Sequence, residues 1–195
     1  MDNLIPALIF FFVMAITPGP NNFMIMFSGI NYGFRKSLPH LFGIILGFPI
    51  LIVGIGLGLD VVFNQLPWLQ ELIKYVGVAV LIYLSYRIAT TSNESKAHSK
   101  SKPLTFLQVV LFQWVNPKAI VMTITGISVY INSGDVKSQV LTLAASNILV
   151  TVPSASVWLF LGLWLQKLLT NDAHIKLFNK VMALLLIGSI VPIFI

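Results

Sequence analysis

Long apolar runs alternate with short charged or polar interruptions along the whole chain. Residues 3 to 34 carry no charge, and Arg35 and Lys36 close that run. A second uncharged stretch, 37 to 59, stops at Asp60 and a polar turn, Asn64-Gln65-Leu66-Pro67. A third covers roughly residues 69 to 89. The serine- and lysine-rich stretch that follows, Thr90 to Lys102, has nothing in it that can pack and reads as a flexible aqueous linker. Three more apolar segments follow, at 103 to 131, 138 to 166 and about 177 to 195. They are separated by Asn132-Ser133-Gly134-Asp135 and by a loop with Lys167, Asp172, His174 and Lys176. Each is long enough to cross a bilayer as a helix, which takes about 20 residues. None shows the alternating pattern of a barrel strand, and backbone groups in hydrocarbon need partners within their own segment. The pattern therefore predicts an all-α membrane protein of six transmembrane helices.

Composition strengthens this. Of 195 residues, 57% are hydrophobic and 9% charged, too few charges to coat a soluble domain of this size. A soluble enzyme or binding module is excluded, and residues 1–195 read as one membrane domain. The net charge of +6 does not form one long patch, so it marks a positive-inside bias and not a nucleic-acid surface. Arg35, Lys36, Arg87, Lys96, Lys100, Lys102, Lys167, Lys176 and Lys180 fall on one side, Lys74 and Lys137 on the other. Nine against two predicts the first set in the cytoplasm and both termini outside. The N-terminus lacks the basic region of a cleaved signal peptide. With no cysteine there is no disulfide framework, thiol nucleophile or thiolate metal site, and no cofactor motif is present.

The linker, residues 91–102, divides the chain into three helices (1–90) and three more (103–195). An odd number per half makes the halves enter the membrane in opposite directions, so related halves would form an inverted repeat. The first helix of each half is over-long and interrupted. Helix 1 carries Thr17-Pro18-Gly19-Pro20-Asn21-Asn22, in which two prolines remove backbone donors and Gly19 adds freedom, leaving carbonyls near 13 to 16 without partners. Helix 4 carries Asn116-Pro117-Lys118, which reads as a helix start with Asn116 at the N-cap and Pro117 at N1. A helix entering at Pro103 would bury Lys118 about 22 Å along its axis. Burying a lysine costs roughly 2.5–3.5 kcal/mol on insertion scales. No span interior holds an Asp or Glu to meet it, so an anionic group on a substrate is one partner; the other reading is that helix 4 starts at Pro117 and Lys118 snorkels to water.

Other polar residues carry less. Gly43-x-x-x-Gly47 predicts close helix packing. Asn147 is read as a helix–helix hydrogen bond, and His40, His98 and His174 as residues of cytoplasmic ends or loops. No metal site is expected without buried carboxylates or thiolates.

Thr17-Pro18-Gly19-Pro20-Asn21, Gly33-Phe34-Arg35, Gly43-x-x-x-Gly47 and Phe112-Gln113-Trp114-Val115-Asn116-Pro117-Lys118-Ala119 together resemble the LysE/RhtB family of amino-acid exporters. Length and six-helix layout match over essentially the whole chain, and the chain looks most like the neutral amino-acid branch, the cysteine/O-acetylserine exporter type. The resemblance implies efflux of a small amino acid across the bacterial inner membrane, with protons as the coupling ion. In one respect the chain departs from the pattern: many members carry an acid just after the second glycine of helix 2, and Phe48 stands there.

The leading reading is a secondary exporter of small neutral amino acids, with a homo-oligomer left open. A zwitterion needs an anion-favouring and a cation-favouring site side by side, and broken helices offer both. The carboxylate is assigned to Lys118 and the half-helix start at Pro20, Asn21 and Asn22, the ammonium to freed carbonyls around Ile16 and Thr17, and Asn116 orients the second break. The alternative is a passive channel or facilitator for small zwitterions. A lipid-modifying enzyme, for which His40 is the only seed, and a structural subunit are weaker rivals.

Overall fold

A computed structural model describes residues 4–59, 65, 67–91, 103–132, 134–169 and 171–191. All regular structure among them is helical: α1 (Leu4–Ile16), α2 (Pro20–Gly54, prolonged by a π-helical turn at Ile55–Leu59), α3 (Pro67–Thr90), α4 (Phe106–Gln113), α5 (Pro117–Tyr130), α6 (Val136–Leu168) and α7 (Asp172–Gly188). Most of the stretch read as a linker lies outside the described residues.

By length and composition, the described residues show fewer than the six spans expected. Among them, three helices, within Pro20–Gly58, Glu71–Thr90 and Val136–Leu168, are long and apolar enough to cross a membrane, and a fourth such element is α4 with α5, bent by 57° at its break. The difference has two physical origins. The proline break detaches α1 as a short helix of 13 residues. The residues after it run on toward α2's second half without a polar loop, turned only by Gly33 at φ 75°, ψ 178°. This conformation is essentially reserved to glycine and costs other residues about 1–3 kcal/mol. No atom lies within 4 Å of where a Cβ would stand, so backbone strain alone decides the cost there. Gly33→Ala is expected to lower the melting temperature in detergent without altering the packing around it; an unchanged melting temperature would show that the turn relaxes. Across the turn, the Ser28 and Ser37 hydroxyls share a 2.8 Å hydrogen bond, and Ser37 Oγ donates to Gly33 O.

The first half of α2 forms the centre of the molecule. Every residue from 19 to 31 is buried, as befits a helix enclosed on all sides. It crosses α6 with almost no side chain between the backbones. A Cβ on Gly29 would stand 2.9 Å from Leu159 O, and one on Gly162 would collide with Met26 O. The second half of α2 packs on α4 through Gly43 and Gly47, whose missing Cβ atoms would meet Val109 Cβ at 2.7 Å and Gln113 Cγ at 2.8 Å. Two apolar clusters result. One joins α1, the second half of α2, α5 and α6 around Phe11, Leu51, Met122 and Leu143. The other joins the first half of α2 to α3 and α7 around Met24, Ile30, Leu81 and Leu186.

Polar ties gather one end of the bundle. Gln166 Nε2 donates to Ile30 O, Asn31 Nδ2 to Asn179 Oδ1, and Asn179 Nδ2 to Thr91 O. Arg35, Lys36, Arg87, Lys167 and Lys176 flank these ties. Asn147, read as a contact between helices, instead accepts from Thr151 Oγ1 one turn on within α6.

Candidate functional site

The break between α1 and α2 follows from Pro18 and Pro20. Neither has an N–H, so Met14 O and Ile16 O lose their helical donors, while Thr17 N still reaches Val13 O at 3.3 Å. The last carbonyls of a helix need partners from outside it, and each finds one. Thr17 Oγ1 donates to Met14 O (2.9 Å), Asn22 Nδ2 to Ala15 O (2.8 Å) and Trp158 Nε1 to Ile16 O (3.0 Å). Thr17 O accepts from Asn22 Nδ2 (2.7 Å) and Lys118 Nζ (2.7 Å), and Pro18 O accepts from Lys118 Nζ (3.0 Å). Lys118 also donates to Thr17 Oγ1 at 2.8 Å.

Lys118 is thus half-buried with three oxygen acceptors inside the chain, where sequence reasoning sought an external anion or open water. The carbonyls assigned to a substrate ammonium, those of Ile16 and Thr17, are engaged by Trp158, Asn22 and Lys118. No acidic side chain was needed, because a helix stopped by proline presents its own partial negative charge. Gly19 lets this happen. A Cβ there would stand 2.8 Å from Lys118 Cδ and 3.1 Å from Nζ, so any side chain displaces the ammonium.

The second break runs through Trp114, Val115 and Asn116, and Pro117 opens α5. Asn116 occupies the N-cap position expected of it, but its side chain makes no capping hydrogen bond, and its Oδ1 is buried without a partner. α2 is likewise uncapped, since Gly19 has no side chain to offer. These two starts contrast with three others. Thr105 and Gln108 form a capping box on α4, Asp135 caps α6 and Asn171 caps α7. The first amides of α2 and α5 are therefore left to other partners. Gln113, which sequence reasoning missed, joins the breaks: Asn21 Nδ2 donates to its Oε1 at 2.8 Å, and its Nε2 returns a bond to Asn21 Oδ1 at 3.2 Å.

Both breaks open on one partly open cleft. Of the sequence-derived candidates, Gly19, Pro20, Asn21, Asn22, Asn116 and Lys118 line it; Thr17 and Pro18 stand behind Lys118, and Pro117 begins the helix that carries it. Ile44, Phe48, Met122, Thr151 and Ser154 complete the walls. The hydroxyls of α6 gave little signal in sequence, because Thr151 and Ser154 flank Pro153 in an apolar run and look like packing residues. One cation, two helix starts and neutral acceptors surround the cleft, and no carboxylate lines it among the described residues.

A multi-pass helical protein whose two broken helices meet at a shared polar cleft is built to move a small solute and not to transform one. The comparisons agree. The LysE type translocator family matches residues 12–190, and the chain belongs to this family. Among its relatives are proteins of Escherichia coli strain K12, E. coli O139:H28 and Shigella sonnei, each named cysteine/O-acetylserine efflux protein. Each is 30% identical to the chain over 186 residues, covering 93% of it and 92% of the relative. No solved structure matches the chain.

Proposed function

We propose that the chain exports small neutral amino acids across the bacterial inner membrane as a secondary transporter driven by the proton gradient, and that the cleft between the two breaks is its substrate site. Six spans arranged as two inverted three-helix repeats, 1–90 and 103–195, fit the paired breaks at 17–19 and 114–116. The basic end of the bundle faces the cytoplasm, and both termini face outward, on the Lys/Arg asymmetry.

The observation that carries the site is the pair of uncapped helix starts beside Lys118. Amide N–H groups at a helix start, reinforced by its dipole, favour a carboxylate. Thr17 O, Pro18 O and the unpartnered Asn116 Oδ1 favour an ammonium. Since Lys118 holds the first two, binding is an exchange: the substrate ammonium takes over the carbonyls, and Lys118 turns to the carboxylate. Phe48 and the absence of a carboxylate among the described lining residues select against a second positive charge on the substrate. The names of the relatives make cysteine and O-acetylserine the first candidates.

The test is uptake of a labelled amino-acid panel into inside-out vesicles, with and without an imposed pH gradient. O-acetylserine, cysteine or another neutral amino acid is expected to accumulate with the gradient, and lysine and arginine are not. Efficient lysine accumulation refutes the selectivity. Flux that only equilibrates and ignores uncouplers returns the chain to a passive facilitator.

A further inference from the structure

A second, partly open cavity lies at the basic end of the bundle. His40 lines it, together with Ser28, Tyr32 and Arg87, and with Met24 and Phe27 from the central half-helix of α2. His40 is 1% exposed, and neither ring nitrogen has a hydrogen-bond partner. A buried imidazole with two unsatisfied nitrogens is costly to keep unless something in the cavity serves it. Sequence reasoning placed His40 at a cytoplasmic end or loop. The helix resumes directly after Gly33 instead, which carries His40 two turns into the protein.

The wall chemistry identifies the occupant. Arg87 brings a guanidinium, whose plane also lies over Tyr83 at 5.9 Å, and a neutral imidazole offers one N–H. Among the described residues, no acidic side chain lines the cavity. Donors and positive charge beside Met24, Leu84 and Ile88 suit a small molecule with a carboxylate at one end and an apolar remainder. Asn21 and Asn22, which line the central cleft, and Met24 lie within one turn of the same half-helix, so both cavities have that helix as a wall.

We propose that this cavity is a second amino-acid site, a vestibule in which His40 and Arg87 hold the substrate carboxylate before it moves to the central cleft. The assignment rests on the transport reading above, and the site is distinguished from it by an equilibrium measurement. The full chain, labelled at histidine, is placed in nanodiscs, and the His40 ring signals are identified by their loss in His40→Gln. O-acetyl-L-serine is then titrated, with its decarboxylated analogue, 2-aminoethyl acetate, as control, in wild type and in Lys118→Met. The amino acid is expected to shift the His40 signals saturably in both proteins. The amine leaves them in place, and Arg87→Gln weakens the apparent affinity about tenfold, as loss of a charge-assisted hydrogen bond does. His40 signals that stay put at saturating O-acetyl-L-serine, or that move equally with the amine, overturn the site whatever the transport result. A His40 shift in a protein that exports no amino acid keeps the site and overturns the transport reading.

Discussion

Lys118→Met is expected to lower export by about tenfold per inserted molecule, the equivalent of the roughly 1.5 kcal/mol of a hydrogen bond to a charged group. The substitution keeps the side-chain length and removes the charge that bridges Thr17 O, Thr17 Oγ1 and Pro18 O. Insertion is expected to hold or improve, because a burial cost of about 2.5–3.5 kcal/mol is relieved. Lys118→Arg retains partial activity, since a planar fork cannot reproduce three contacts made by a compact ammonium. A decarboxylated substrate analogue is exported poorly by the wild type and loses less on going to Lys118→Met. The assay is export normalised to inserted protein. Near-normal normalised export would leave Lys118 as an anchor between α5 and the α1 terminus and sink its role toward the carboxylate.

Replacing Pro18, Gly19 and Pro20 together with Ala abolishes export while the protein still inserts. Each proline costs a helix interior about 3 kcal/mol, so the replacement favours a continuous helix. Restored N–H groups at 18 and 20 would serve Met14 O and Ile16 O, leaving Thr17 Oγ1 and Trp158 Nε1 without the bonds they now make. The new Cβ at 19 also enters the space of the Lys118 side chain. Gly19→Ala alone is the milder form: the flexible end of Lys118 yields, and KM rises more than maximal rate falls. Unchanged transport in the triple variant would reduce the break to a packing kink.

How far the sequence foretold these features depended on whether the determining chemistry was local. Two prolines around a glycine stop a helix wherever they occur, so the break at Thr17 to Gly19 was legible, as was α5 starting at Pro117. The turn at Gly33 was not, since a lone glycine in an apolar run announces nothing until its φ is known. The partner of Lys118 was misjudged for a related reason. An acidic side chain is visible in a sequence, but a carbonyl becomes an acceptor only when the fold aims it, and Thr17 lies far from Lys118 along the chain. His40 was read as a residue of a cytoplasmic end or loop, and its burial within α2 shows only once the helix is seen to resume after Gly33. Thr151 and Ser154 reach the cleft only through the way α6 crosses α2, a relation no single segment encodes.

The carbonyls open at the break, those of Thr17 and Pro18 included, are served by the chain itself, and this bears on when such a protein would operate. A solute ammonium entering there gains only the difference between its own contacts and those Lys118 surrenders. Affinity set by a difference is low, and a low-affinity exporter stays nearly idle at ordinary cytoplasmic concentrations, opening its flux only as the pool rises toward its KM. The proline break would then act as a spillway crest: its height, set by how firmly Lys118 is held, fixes the internal level above which the cell begins to discard its amino acid.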